Sequence, residues 1–170
     1  VYHGAEGLVR IARRAHRLAA ILKAGLGKLG FTVPTAAFFD TISVTTGERT
    51  QRILDEGVAR GVNFRRIDAA TIGIALDETT TQADLVSILD VFAEASGRKG
   101  TVALAAADDA VSDLPPALRR TSQYLMHPVF NSHRSETEMM RYLKQLERKD
   151  IGLDTSMIPL GSCTMKLNAA

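Results

Sequence analysis

The stretch TIGIALDETTTQADLVSILDVF, residues 71–92, contains a change of hydrophobic periodicity that decides the local fold. Three apolar residues alternate along its start and would share one face of a β-strand: Ile72, Ile74 and Leu76. Further along, the apolar residues recur at steps of three and four, as they do on an α-helix. Thr81, followed three residues later by Asp84, is a weaker form of the capping box that marks a helix start. We therefore predict a strand followed by a capped helix that ends before Gly97.

The residues before this stretch predict two more helices and two more strands. Between Ala5 and about Gly30, seven apolar residues recur at helical spacing and would form one buried face: Leu8, Ile11, Ala15, Leu18, Leu22, Leu26 and Leu29. AFFDTISVTTG (37–47) and VNFRRI (62–67) are predicted strands, with a helix over 48–60 between them. Three residues of that helix are expected to face inward: Ile53, Leu54 and Val58. The order α-β-α-β-β-α predicts an α+β fold with helices on one face of a mainly antiparallel sheet.

The second half of the chain changes character. We predict a small domain over residues 1–97, an alanine- and proline-rich linker with one helical turn over 98–122, and a separate arm over 123–170. In the arm, Ser135 and Glu138 predict another capped helix. Its narrow apolar stripe must bury against the first domain or an absent partner: Met139, Leu143 and Leu146.

The composition limits the possible classes of protein. A hydrophobic fraction of 45% and a charged fraction of 24% are typical of soluble globular proteins. A net charge of +2 is too small for a general nucleic-acid or membrane surface. The basic stripe on the first helix indicates a solvated face or, alternatively, an acidic partner: Arg10, Arg13, Arg14 and Arg17. The first residue is Val1 rather than methionine, which suggests a piece of a longer protein.

SMIPLGSCTMKLN, residues 156–168, contains the sole cysteine of the chain. Cys163 could be a nucleophile, but no base can be assigned to it from spacing. His127 and His133 lie six positions apart without a second cysteine, which is not a metal-ligand spacing. Lys166 could act as a nucleophilic amine if desolvated, or be a solvated charge. Residue patterns alone leave these alternatives open.

The long run MIPLGSCTMK, with FNSHRSETEMMRYLKQLERKDIGL (130–153) before it, resembles the P-protein family of the glycine cleavage system. HRLAAILKAGLGKLGF, FFDTISVTTG and RGVNFRRIDAATIGIALDETTT are also similar to that family. Its members are pyridoxal-phosphate-dependent glycine decarboxylases with two homologous halves of fold type I. The resemblance implies that residues 1–97 are the small C-terminal lobe of the first half. Residues 123–170 would be the mostly helical arm that opens the cofactor-binding half.

The resemblance also implies a site. The residues expected to line the cofactor and substrate pocket are Ser162, Cys163, Thr164, Lys166, Asn168, His127 and Asn131. No catalytic residue is assigned, because the lysine that binds pyridoxal phosphate in the family follows a histidine downstream of this chain. No metal ligand is assigned either, because of the histidine spacing given above. The chain alone is therefore expected neither to hold the cofactor stably nor to decarboxylate glycine.

The partners implied are glycine, the lipoylated H-protein and the other half or subunit of the P-protein, with no nucleic acid and no membrane. The compartment implied is the bacterial cytoplasm, or the mitochondrial matrix in a eukaryote. An alternative hypothesis is a non-catalytic α+β interaction module that docks on a partner chain through its arm.

Overall fold

Residues 1–98 form three α-helices and three β-strands in the predicted order α-β-α-β-β-α. The structure is a computed structural model that describes residues 1–98, 114–150 and 152. The elements are α1 (Gly4–Lys28), β1 (Thr41–Thr45), α2 (Thr50–Ala59), β2 (Arg65–Arg66), β3 (Thr71–Ala75) and α3 (Gln82–Ala95). Later in the chain come a 3-10 turn (Pro116–Leu118), α4 (Val129–Ser132) and α5 (Glu136–Glu147). The 3-10 turn lies within residues 98–122, for which a linker with one helical turn is predicted.

The chain divides into two units. The sheet unit is Val9–Ser122, and the arm unit is Val1–Leu8 together with the residues from Gln123 onward. The predicted domain limits at 97 and 123 stay a prediction. Among the described helices, none combines the length and the apolar character needed to cross a membrane.

The sheet is antiparallel throughout, with the strand order β1-β3-β2. Ile42 of β1 is opposite Ile74 of β3, and Val44 is opposite Ile72. These four side chains are buried on one face, as the period-two pattern of β3 predicts. Leu76, just after the strand, is buried as well and confirms the third position of that pattern.

The helices supply the other side of the core, although two sequence predictions about them are wrong. Of the seven apolar residues predicted to share one face between Ala5 and Gly30, five are buried, the last of them just after α1: Ala15, Leu18, Leu22, Leu26 and Leu29. Leu8, however, is 43% exposed, because it lies in the arm unit and the core of the sheet unit begins farther along the helix. Val58 is 65% exposed, since it lies about 140° around α2 from buried Ile53.

Arg14, one arginine of the α1 stripe, connects α1 to a loop of the sheet unit. The guanidinium of Arg14 donates hydrogen bonds of 2.7 Å to the backbone carbonyls of both Glu78 and Thr80. Arg14 therefore fixes the loop between β3 and α3 to the side of α1. Arg14 is exposed, as the solvated-face interpretation of the stripe predicts, and it has this structural contact in addition.

The N-terminus of α3 confirms the predicted capping box. Asp84 N–H donates to Thr81 Oγ1 at 3.3 Å, and Thr81 N–H donates to Asp84 Oδ2 at 2.7 Å. The Thr81 hydroxyl also donates to the same carboxylate oxygen at 2.7 Å. These bonds satisfy backbone donors that the first turn of a helix leaves without an intrahelical acceptor.

We expect the same contacts to make stability depend on pH. The hydrogen bonds from the Thr81 hydroxyl and from its backbone N–H lower the pKa of Asp84 below its usual value. A carboxyl with a lowered pKa in the folded state stabilises the fold above its unfolded pKa, and this contribution is lost as pH falls through the folded pKa. The free energy of unfolding should therefore fall less in Asp84→Asn than in the unchanged protein as the pH is lowered from roughly 5. Urea unfolding followed by circular dichroism measures this free energy at each pH. Asp84→Glu keeps the carboxylate and should keep that loss, whereas an unchanged pH dependence in Asp84→Asn would contradict the assignment.

Candidate functional site

The described candidate residues, His127 and Asn131, lie in one turn of the arm unit, just before and within α4. Phe130 N–H donates to the carbonyl of His127 at 3.0 Å, and Asn131 N–H donates to the carbonyl of Pro128 at 2.8 Å. Among the described residues other than glycine, Leu125 alone has a positive φ, at 53°. A leucine in this region of backbone space is strained and needs support from its surroundings.

Asn131 supplies that support through its side-chain amide. Its Nδ2 donates to the carbonyl of Leu125 at 3.1 Å and to the carbonyl of His127 at 3.3 Å. Its Oδ1 accepts from Arg134 Nη2 at 2.9 Å. A flipped amide would place its NH₂ against the guanidinium donor and its oxygen against two carbonyls, so the contacts fix the orientation. Asn131 thus ties together the start, the middle and the end of the turn.

His127 is held in one tautomer. Val129 N–H donates to Nδ1 at 3.2 Å, so in the neutral ring Nδ1 is the acceptor and Nε2 carries the proton. The side chain is exposed, and within the part of the chain that the structure describes Nε2 has no hydrogen-bond partner. Chemically, His127 can offer an N–H donor in a defined position.

Arg134 packs against the first residues of the chain, inside the same unit. Gly4 has a φ of +60°, and a Cβ built there would lie 2.7 Å from Arg134 Nη2 and 3.1 Å from the carbonyl oxygen of Phe130. Tyr124 adds a second link, because its hydroxyl donates to the carbonyl of Ala5 at 3.0 Å. The positive φ and the Phe130 carbonyl oxygen favour glycine at position 4, whereas the end of the Arg134 side chain could move aside for a Cβ.

The helix that follows the turn begins where the sequence predicts. Ser135 Oγ accepts from Glu138 N–H at 3.2 Å, and Ser135 N–H donates to Glu138 Oε2 at 3.3 Å. The backbone N–H and hydroxyl of Ser135 lower the pKa of Glu138. The predicted apolar stripe of α5 is only partly covered, because Met139 is half-buried while Leu143 and Leu146 are exposed.

The two arm histidines have different surroundings. The ring of His133 stacks on Tyr142 with centroids 4.2 Å apart and planes 12° apart, whereas His127 accepts a backbone hydrogen bond. Within residues 1–98, 114–150 and 152, no group of three or more His, Cys, Asp or Glu side chains could hold a metal ion.

Two of the described lysines do not fit an imine-forming role. Lys23 Nζ donates to the carbonyl of Thr35 at 3.2 Å and lies 4.9 Å from the ring centroid of Phe38. Lys144 Nζ forms an ion pair with Glu147 at 2.9 Å. An amine held by a carbonyl and a ring, or by a carboxylate, is not positioned to attack the carbonyl of a cofactor, as imine formation requires. The other pocket candidates lie outside the described residues: Ser162, Cys163, Thr164, Lys166 and Asn168.

The described residues thus form an α+β fold, and the arm unit contains a hydrogen-bonded turn with His127 at its surface. The family model described as the glycine cleavage system P-protein matches residues 1–92. The chain belongs to this family, as its resemblance predicts.

Two bacterial relatives extend the similarity to the arm. The glycine dehydrogenase (decarboxylating) of Paraburkholderia xenovorans (strain LB400) is 51% identical over 174 residues, covering 99% of this chain. The protein of the same name from Vibrio parahaemolyticus serotype O3:K6 (strain RIMD 2210633) is 54% identical over 173 residues, covering 100% of this chain. In each case the chain spans 18% of the length of the relative.

Among solved structures, one of SPT with its PLP internal aldimine has a TM-score of 0.39 to this chain. It is 21% identical and aligns with 47% of this chain and 23% of that chain.

Proposed function

We propose that the chain is a segment of a pyridoxal-phosphate-dependent glycine decarboxylase, which passes the aminomethyl group of glycine to the lipoyl arm of H-protein. The observation that carries this proposal is the 51–54% identity, along the whole chain, to proteins named glycine dehydrogenase (decarboxylating). An identity that extends from the sheet unit through the arm supports a common role for both units in such an enzyme.

Residues 1–97, which contain the three strands and the helices packed on them, are proposed to be the small C-terminal lobe of a fold-type-I half. Its α-β-α-β-β-α order and its three-stranded antiparallel sheet support this assignment. Its largest buried side chains are apolar and its buried Thr46 and Thr50 bond to each other, so the lobe acts as a scaffold rather than as a chemical site.

The arm is proposed to form one wall of the cofactor and substrate pocket. Pyridoxal phosphate, when bound, supplies the electron sink for the carbanion left by the departing carbon dioxide. The lysine that anchors it is proposed to lie in the part of the protein outside this chain. The arm contributes small polar groups to the wall: Ser162, Cys163, Thr164, Lys166, Asn168, His127 and Asn131. The hydroxyls of Ser162 and Thr164, the amide of Asn168 and the imidazole of His127 orient the ligands by hydrogen bonding. The amide of Asn131 bonds within its own turn instead.

Removing either hydroxyl of the arm loop tests this role. In the full-length enzyme, Ser162→Ala or Thr164→Ala should lower the rate of glycine–carbon dioxide exchange by about tenfold, the effect of one lost hydrogen bond to a charged ligand. The melting temperature should change little, because a hydroxyl that faces a ligand adds little to folding. Exchange of labelled carbon dioxide into glycine gives the rate, and calorimetry gives the melting temperature.

Thr121→Ala is the matched control, since Thr121 is an exposed hydroxyl residue in the linker. It should leave both the exchange rate and the melting temperature unchanged. Full activity in both arm variants would rule out the proposed wall, as would a loss of activity that only follows a loss of stability.

A further inference from the structure

We infer that Asn131 is a positioning residue that holds His127 as a fixed hydrogen-bond donor toward an oxygen acceptor of the bound ligands. The inference rests on the proposed function, because it gives His127 a defined part in the pocket wall. It adds a role for Asn131 and Arg134 that acts through His127 rather than by contact with the ligand.

Two hydrogen bonds restrain His127, one at its backbone carbonyl and one at its imidazole ring. Asn131 Nδ2 holds the backbone carbonyl of His127 at 3.3 Å, while Val129 N–H holds the ring nitrogen Nδ1 at 3.2 Å. The first bond restrains the backbone at position 127 and the second restrains the ring relative to that backbone. Together they leave Nε2–H as the group that His127 presents.

Arg134 determines which way the Asn131 amide faces. Its Nη2 donates to Oδ1 of Asn131 at 2.9 Å, which leaves the two amide hydrogens for the carbonyls of Leu125 and His127. The guanidinium itself lies against Gly4, with Nη2 2.7 Å from a Cβ built there. The chain of contacts therefore runs from Gly4 through Arg134 and Asn131 to His127.

The side chains of the turn form specific hydrogen bonds although they are exposed to solvent. His127, Asn131 and Arg134 are all exposed, so burial does not force them into these contacts. The turn nevertheless keeps Leu125 at a positive φ, a strained conformation that persists only where the surroundings fix it. A strained backbone that exposed polar groups hold in place favours a role in positioning the His127 side chain for ligand binding.

Nuclear magnetic resonance of the full chain tests the positioning directly. At pH 8, correlation of the imidazole nitrogens with the ring protons should show Nε2 protonated and Nδ1 as an acceptor. Asn131→Asp keeps an oxygen for Arg134 but removes both Nδ2 donors, so it should retain the fold and release the turn. The Val129 amide should then exchange with solvent about 5- to 10-fold faster, the change that one lost hydrogen bond produces.

Ser132→Ala is the matched control for these measurements. The Ser132 hydroxyl donates to the carbonyl of Pro128 at 2.6 Å, so this variant also loses one hydrogen bond in the turn but leaves Asn131 and His127 in place. It should not change the His127 nitrogen signals or the Val129 exchange rate. Equal effects in Ser132→Ala and Asn131→Asp, or none in either, would overturn the inference.

A double-mutant cycle in the full-length enzyme tests whether Asn131 acts through His127. His127→Ala and Asn131→Asp should each lower kcat/KM for glycine by about 5- to 10-fold, and the double variant should lose no more than either alone. Additive losses would refute action through His127. If His127→Ala, Ser162→Ala and Thr164→Ala all keep full activity, the proposed pocket wall fails. If only Asn131→Asp keeps full activity, the positioning inference alone fails.

Discussion

Phe92→Ala should lower the free energy of unfolding by about 3–5 kcal/mol, the usual cost of removing a buried phenylalanine. Phe92 in α3 is fully buried. Its ring meets Phe31 edge-on with centroids 5.0 Å apart, and it meets Phe64 at 5.7 Å. Alanine would remove the centre of this cluster and leave a cavity that the neighbouring rings cannot fill without leaving their own contacts. Since whole domains are stable by only about 5–15 kcal/mol, this one change should remove a large part of the stability.

Phe39→Ala is the control for this measurement because it removes the same atoms from a different environment. Phe39 is 42% exposed, and its ring stacks on His16 with centroids 5.9 Å apart. Its replacement should cost less than half as much in urea unfolding followed by circular dichroism. Equal losses in the two variants would contradict the placement of Phe92 at the centre of the core.

The elements of the sheet unit could be predicted because each has a local signal. The strand β3 has the alternation of Ile72 and Ile74, and α3 has the Thr81–Asp84 cap directly before its apolar spacing. The errors concern which side of a helix faces the core. Leu8 and Val58 have helical spacing like their buried neighbours, and only the packed structure shows that no core lies over them.

The contacts of the candidate site could not be predicted from the sequence. His127 and Asn131 become candidates only through the family resemblance, and no local pattern indicates that Asn131 bonds to the carbonyl of His127. Arg134 was missed altogether, since its packing partner Gly4 lies at the other end of the chain. The contact of Tyr124 with Ala5 likewise joins residues 119 positions apart. Single-sequence periodicity contains no information on such long-range contacts.

Gly57→Ala should lower the free energy of unfolding by about 1–3 kcal/mol, the usual cost of overpacking a core position. Gly57 is buried in α2, and a Cβ built there would lie 2.8 Å from Phe64 Cε2 and 2.9 Å from the carbonyl oxygen of Val62. The phenylalanine ring could shift, but the backbone oxygen could not do so alone. Val62 N–H donates to the carbonyl of Gly57 at 2.8 Å, so moving that backbone would also disturb the turn that ends α2.

The sign of this effect is decided by the close contacts, because helix propensity acts in the opposite direction. Alanine is favoured over glycine inside a helix by about 1 kcal/mol. At Gly27, which lies in α1 with nothing within 4 Å of a built Cβ, propensity acts alone. Gly27→Ala should therefore raise the free energy of unfolding by about 1 kcal/mol, whereas Gly57→Ala lowers it. Parallel urea titrations of the two variants measure the difference, and a stabilised Gly57→Ala would show that Phe64 and Val62 do not confine that position.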